Sequence, residues 1–517
     1  MNPLNFDETF TALTGHPPFP WQVALYDDWF HHGKIPPSCN LPTGLGKTSV
    51  IAVWLIALAN GAKVPRRLVY VVNRRTVVDQ TTVEVEKYRN RLVECPALLD
   101  RLRAMGGDEV VIPFRPQPLA ISTLRGQFAD NRAWSADPSR PAVICGTVDM
   151  IGSRLLFSGY GVGMRSKPLH AGFLGQDALL VHDEAHLEPA FQELITSIER
   201  EQKRCKEFGT FRVMALTATS RGGGEVFELT KEEKAIPPEL PEPSQPIHYV
   251  WQRMKSKKGL KFEAAKRDAV ATRIGEMARD QWKDSGKAVL VFVRTIDDVK
   301  TVREELTKKR KNGAEDSLQG VAGEQIQVLT GTLRGLERDR MANPRQPEGC
   351  PVFARFLPPP AQDAPEAEQW KVTPRPGTVF LICTSAGEVG VDLSADHMVC
   401  DLSTLDSMAQ RFGRVNRRGE GAAMIDVVYE MDPNPKPPSP TFEAARWESK
   451  KVLERLPACD WIDRPHDASP SALGVLMKAL TDEERDAAFA PMPTILPTTD
   501  ILFDAWAPWL PRWCRWV

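Results

Sequence analysis

Over roughly the first 230 residues, short apolar runs alternate with amphipathic stretches. The runs Leu68–Val72, Ala142–Cys145, Ala178–Val181 and Arg212–Leu216 have the length of strands buried on both faces. Between them, Thr76–Tyr88 and Pro189–Arg204 carry helical periodicity, and the alternation predicts an α/β unit around a parallel sheet. The stretch Lys231–Gln245, rich in proline and glutamate, reads as a linker. A second alternating region follows. It predicts a helix over Ala264–Trp282 and strands at Ala288–Val293, Gln325–Leu329, Thr378–Cys383, His397–Asp401 and Met424–Tyr429. Asn343–Gly377 is crowded with proline and has no period, the pattern of an insertion or extended surface loop. After a second proline run, Met431–Pro440, one helix is predicted over Phe442–Leu456, followed by weakly patterned, tryptophan-rich sequence. The pattern therefore gives two tandem α/β domains, 1–235 and 236–432, and a short, mainly helical C-terminal accessory segment, 433–517.

Composition narrows the classes. A chain of 517 residues exceeds what one core supports. Lysine plus arginine (66) nearly cancels aspartate plus glutamate (67), so any nucleic-acid binding must come from local patches. The nine cysteines are scattered singly, against a structural zinc site or a disulfide framework. The first residues lack the basic and apolar regions of a secretory signal, and the apolar stretch Val50–Ala59 is about half a membrane span; a cytoplasmic, non-membrane protein is expected.

Three strings carry chemistry. LPTGLGKT (Leu41–Thr48) stands between a strand and the apolar helix Ser49–Ala59, where glycines let backbone N–H groups close on phosphate oxygens at a helix N-terminus. Thr43, Gly44 and Gly46 belong to this cradle. Lys47 is placed to reach the β- and γ-phosphates of ATP, and Thr48 to offer its hydroxyl to Mg²⁺. LLVHDEAH (Leu179–His186) ends a strand in two adjacent carboxylates, which a merely structural strand end would avoid. Asp183 suits Mg²⁺ and Glu184 the attacking water, while His186 is expected to connect the nucleotide site to the other lobe. A competing reading makes His182–Asp183 a metal-binding pair, but the flanking histidines it needs are not arrayed around it. In QRFGRVNRRG (Gln410–Gly419), Gln410, Arg414 and Arg417 fall about one helical turn apart and are expected to share a face, with the arginines reaching across a cleft to the γ-phosphate. Two lesser strings accompany these. ALTATS (Ala215–Ser220) would link nucleotide and polynucleotide sites. In TSAGEVGVDL (Thr384–Leu393), Gly387 and Gly390 allow close backbone approach, Thr384 and Ser385 suit a nucleic-acid phosphate, and Asp392 suits the ribose or the arginine helix.

In this order the strings resemble superfamily 2 helicases across roughly residues 15–430, whose two domains are RecA-like. FPWQ (Phe19–Gln22) is similar to their adenine-reading glutamine element, which assigns Gln22 to the base. VNRRTVVDQ, STLRG and CGTVDMIGSR resemble first-lobe polynucleotide motifs, and VFVRT and LTGTLRGLERDR second-lobe ones. DEAHLEPAF, TSAGEVGVDLSAD and QRFGRVNRRG together resemble the CRISPR-associated helicase of type I systems, recruited by the Cascade surveillance complex. Asn416 stands where most superfamily 2 members have glycine, and TLRGLERDR leans towards the type I-G (formerly I-U) branch.

The resemblance implies an ATP- and Mg²⁺-dependent translocase moving 3′ to 5′ on the displaced DNA strand of an R-loop. Arg74, Arg75, Thr123, Arg125 and Thr147 would hold the strand in lobe one, and Thr295, Thr330, Thr384 and Ser385 in lobe two, without reading sequence. The family pairs this motor with an HD nuclease. The HD dipeptides here, at His182 and His466, lack the surrounding arrangement, so the nuclease is expected as a separate protein or as a domain lost after a truncated C-terminus. Two other classes stay open: a catalytically incomplete module that docks on Cascade or DNA, and an RNA helicase of the same superfamily.

Overall fold

The structure is a computed structural model that describes residues 3–105, 117–125, 133–159, 161–206, 210–217, 225–243, 245–308, 310–312, 316–318, 320–333, 335–360, 369–388, 392–431 and 441–491. The first sheet holds β1 (Ser38–Asn40), β2 (Arg67–Val72), β3 (Ala120–Leu124), β4 (Ala142–Thr147), β5 (Ala178–Asp183), β6 (Phe211–Thr217) and β7 (Val226–Glu228). They lie in the order β3-β4-β2-β5-β6-β1-β7, every pairing parallel. The second holds β8 (Lys257–Ala265), β9 (Ala288–Phe292), β12 (Ile326–Leu329), β13 (Val379–Cys383), β14 (His397–Asp401), β15 (Ala422–Glu430) and β16 (His466–Asp467). Its order is β12-β13-β9-β14-β15-β8-β16, parallel except for the last pair, and a hairpin of β10 (Arg310–Asn312) and β11 (Asp316–Leu318) stands apart. These are two tandem RecA-like parallel-sheet units with a mainly helical C-terminal region.

The continuous apolar runs are explained by burial on both faces. In β2, Leu68, Tyr70 and Val72 enter one core while Val69 and Val71 enter the core on the opposite face. In β9, Leu290 and Phe292 divide from Val289 and Val291 in the same way. Period 2 is hidden because both sets of residues must be apolar.

Three expectations change. The predicted helix over Ala264–Trp282 begins at Val270, because Ala264 and Ala265 end β8. β8 escapes the pattern because lysines interrupt it, and one of them, Lys258, points into the protein at 2% exposure. The stretch Lys231–Gln245 is not a free linker. Thr230 and Glu233 form a capping box on the helix Lys231–Lys234, and the buried Glu233 carboxylate accepts from the backbone N–H groups of Trp21 and Thr230. Asn343–Gly377 is not simply a surface loop: within its described residues, Pro351–Ala354 forms a helical turn, and Val352, Phe353, Ala354 and Phe356 are buried in the second core.

Among the described C-terminal residues, helices Phe442–Leu453, Pro470–Ala479 and Asp482–Ala488 place Leu453, Leu476 and Phe489 in that same core. Among the described residues no helix is long and apolar enough to cross a membrane. Phe353 is fully buried, so Phe353→Ala should destabilise the chain by about 3–5 kcal/mol. Thermal or urea unfolding checks this, and an unchanged midpoint would show that Asn343–Gly377 is peripheral after all.

Candidate functional site

Because both sheets are parallel, their strands deliver the chemistry-bearing residues at the carboxyl ends. After β1 the chain turns through Gly44 (φ 88°) and Gly46 (φ 72°), conformations that glycine adopts without strain, into the turn Lys47–Ser49 and the buried helix Val50–Ala59. β5 ends at Asp183, and Glu184 follows in the left-handed region at φ 51°. That backbone turn sets Glu184 Oε1 3.1 Å from Lys47 Nζ, with Lys47 buried and Glu184 mostly covered. Burial acts to raise the Glu184 carboxyl, but Lys47, His186 and Gln410 outweigh it and hold it well below the usual carboxylate range. Burial and the adjacent Glu184 push Asp183 the other way.

Asp183 is held on both oxygens. Oδ1 accepts from the Glu184 backbone N–H at 3.0 Å, and Oδ2 accepts from the Tyr70 hydroxyl at 2.8 Å. Tyr70, on β2, also lies beside the Thr48 side chain, and burial raises its phenol far above the ordinary value. It therefore joins the two candidate Mg²⁺-holding residues, and sequence reading missed it because it sits inside an apolar strand run. Among the described residues no group of three or more histidine, cysteine or carboxylate side chains is arranged to hold a metal. A Thr48–Asp183 pair suits Mg²⁺, which keeps most of its waters and is completed by phosphate oxygens. His182 is a core residue instead: its ring is buried, with Nδ1 2.8 Å from Gln192 Oε1.

The second lobe closes on this group. Gln410 Nε2 donates to Glu184 Oε2 at 3.1 Å and lies 3.5 Å from His186 Nε2, while His186 Nδ1 meets Thr217 Oγ1 at 3.2 Å. His186 thus approaches the other lobe at Gln410. Of ALTATS, Thr217 takes part, and Ala218–Ser220 lie outside the described residues.

The shared helical face expected of Gln410, Arg414 and Arg417 is corrected. The helix Leu405–Phe412 stops before both arginines, which stand on the loop that follows. Arg414 donates from Nε and Nη2 to the Glu388 carbonyl at 2.9 and 2.7 Å. Arg417 pairs with Asp392 at 3.1 Å, and its Cγ and Nε lie 3.4 Å from where a Cβ on Gly44 would stand. Asp392 therefore meets the arginine loop. Gly413 packs against Thr43 so closely that a Cβ there would come within 2.6 Å of the threonine hydroxyl. Asn416 adopts φ 41°, which asparagine tolerates better than most residues, and its amide bonds Lys257 O and Gly421 O. Gly390 lies outside the described residues.

Gln22 is buried beneath the phosphate loop, accepting from the Phe19 backbone N–H (2.7 Å) and donating to Ser49 Oγ (2.6 Å). Arg253, unmarked by any motif, donates to the Gly44 carbonyl at 2.6 Å with its guanidinium 5.5 Å from the centre of the Phe19 ring.

The polynucleotide candidates also gather at strand ends, but several are already engaged. Arg74 follows β2 and is lowered by burial, with Glu388 of the other lobe beside it; the Arg75 side chain lies outside the described residues. Arg125 is ion-paired with Asp79, and the Thr123 and Thr82 hydroxyls are 3.0 Å apart. Thr147 and Thr295 cap the helices Val148–Leu155 and Ile296–Thr307. Thr330 meets Thr332 at 2.9 Å. Thr384 and Ser385 open the turn Ser385–Gly387 directly after β13.

Residues 285–420 match the family model described as CRISPR-associated nuclease/helicase Cas3, C-terminal, and residues 16–221 match Type III restriction enzyme, res subunit. Among curated proteins no sequence matches. Among solved structures, T. fusca Cas3-ADP aligns with TM-score 0.54 and 16% identity over 94% of this chain and 54% of its own. The DUF1998 helicase MrfA bound to DNA and AMPPNP aligns with TM-score 0.53 and 12% identity, over 88% and 54%. MrfA bound to DNA alone gives 0.52 and 13%, over 98% and 62%. The chain thus spans between half and two thirds of the length of these structures. One family model falls on each sheet, and the solved structures share the fold of the two tandem parallel-sheet units.

Tyr70→Phe removes the donor to Asp183 while keeping the ring. It should raise the Mg²⁺ concentration for half-maximal ATPase about tenfold, within the range for losing a partner that orients a metal-holding side chain. An unchanged Mg²⁺ titration would assign Tyr70 to packing alone.

Proposed function

We propose that the chain is an ATP-driven translocase of single-stranded DNA, working in type I CRISPR antiviral interference. The observation that supports it most is the contact Lys47–Glu184–Gln410, which joins a phosphate loop, an acidic strand end and the second lobe in one buried chain of hydrogen bonds. In this reading, Gly44, Gly46 and Lys47 hold the triphosphate, and Thr48 and Asp183 hold Mg²⁺. Glu184 orients and deprotonates the attacking water. Arg417, set over the phosphate loop, and Arg414 supply charge to the γ-phosphate from across the cleft. ATP must displace Glu184 from Lys47, which frees the carboxylate for water at the moment the phosphates arrive.

Lobes 1–235 and 236–432 would grip the strand in turn, with 433–517 as the accessory part. Arg74, Arg75, Thr123, Arg125 and Thr147 would face Thr295, Thr330, Thr384 and Ser385 across it. Recruitment by Cascade, membership of the I-G branch and an HD nuclease supplied beyond these residues belong to the same proposal.

Lys47→Ala and Glu184→Gln should each abolish turnover, the second without loss of ATP binding. Arg417→Ala should slow hydrolysis by roughly 10³-fold or more with little change in nucleotide affinity. ATPase measured with no nucleic acid, single-stranded DNA and RNA tests the substrate. Stimulation by RNA alone would make this an RNA helicase, and a folded chain with no turnover in any arm would leave a binding module.

A further inference from the structure

Lys258 is among the largest fully buried side chains of the described chain, on the strand β8 beneath the arginine loop. Its Nζ donates to the carbonyl of Phe412, the last residue of the helix Leu405–Phe412, at 2.8 Å. A charged amine in such a place is costly, since burial and the nearby Arg417 push it down to about 7, with only Asp467 acting in the opposite direction. An apolar side chain of the same length would fill the space at no such cost. What it would not do is satisfy a carbonyl at the helix end, where a cation or donor is favoured.

The neighbouring contacts show what that bond controls. Beyond Phe412 the chain must turn at once towards the first lobe, with Gly413 against Thr43 and Arg417 over Gly44. The loop is fastened further by Ala395 N to Arg414 O (2.8 Å), Asn416 N to Ala395 O (2.8 Å), Asn416 Nδ2 to Lys257 O (3.2 Å) and Arg417 N to Ser394 Oγ (3.2 Å). Lys258 fixes the beginning of the loop, and Asn416 fixes it just before Arg417.

We propose that Lys258 is a positioning residue for ATP hydrolysis: by holding the Phe412 carbonyl it sets the direction in which the arginine loop leaves its helix, and so the placement of Arg417 against the phosphate loop. The inference rests on the reading of Arg417 given above. Misplacement of a catalytic group by about 1 Å can cost 10²-fold in rate.

The test uses the full chain with ATP, Mg²⁺ and single-stranded DNA. Lys258→Met should lower kcat by about tenfold to hundredfold with KM for ATP within about twofold. In an Arg417→Ala background the same substitution should cost no more than about twofold further, because the arginine it positions is gone. Equal, additive losses in the two backgrounds, or a folded Lys258→Met chain with unchanged kcat, would overturn the proposal. Where Lys258→Met does not melt cooperatively, Lys258→Leu, which likewise removes the N–H donor, takes its place under the same criteria. Absence of turnover in the unsubstituted chain would instead defeat the ATPase reading itself.

Discussion

Glu184 carries a negative charge buried at the junction of two lobes, and the arrangement around it follows from that charge. An isolated carboxylate in such surroundings would be strongly disfavoured. It is kept ionised by an ammonium from one loop, Lys47, and an amide from the other lobe, Gln410. Each partner is in turn fixed by its own element. Lys47 stands at the start of a turn made by two left-handed glycines, and Gln410 on the last turn of a helix in the second lobe. The left-handed backbone at Glu184 is the local strain that brings the carboxylate within reach of both.

The same constraint joins the lobes. The two sheets have separate cores, so nothing in their packing alone requires them to close. Closure is made by small, specific contacts instead: Gln410 on Glu184, Gly413 on Thr43 and Arg417 over Gly44. Interfaces built of polar contacts and glycines open and close at lower cost than apolar ones. In the function proposed, a triphosphate entering between Lys47, Arg417 and Gly44 would replace several of these bonds with stronger, charge-assisted ones. Nucleotide binding and lobe closure would then be one event, with Glu388 on its far side. Its carbonyl holds Arg414, its carboxylate holds Arg411 and Ser407, and Arg74 of the first lobe stands beside it. The turn Ser385–Gly387 directly precedes it.

Much of this was legible in residue order. The two-lobe α/β architecture follows from apolar runs whose length and continuity only doubly covered strands need, and β14 falls where the pattern puts it. The phosphate loop and the acidic pair are local: glycine conformations and adjacent carboxylates carry their meaning within a few residues. Arg414 and Arg417 stand out in the sequence, but they share no helical face, because spacing cannot reveal that a helix stops at Phe412. The proline-crowded stretch after Asn343 was misjudged for a related reason. Proline marks the end of periodicity, and it does not show that Phe353 and Phe356 turn inward.

By itself, then, the sequence determined the two-lobe α/β architecture and the local strings proposed to meet the phosphates, since these depend on short-range backbone and charge chemistry. Only the tertiary structure decided which residues hold those groups in place. Tyr70 looks like one more core aromatic, Arg253 like a surface cation and Lys258 like an interruption in a strand. Each acquires its role from a partner far away along the chain: Asp183 for Tyr70, Gly44 for Arg253 and Phe412 for Lys258. A hydrogen bond between residues more than a hundred positions apart leaves no local pattern, because neither residue type nor period depends on it.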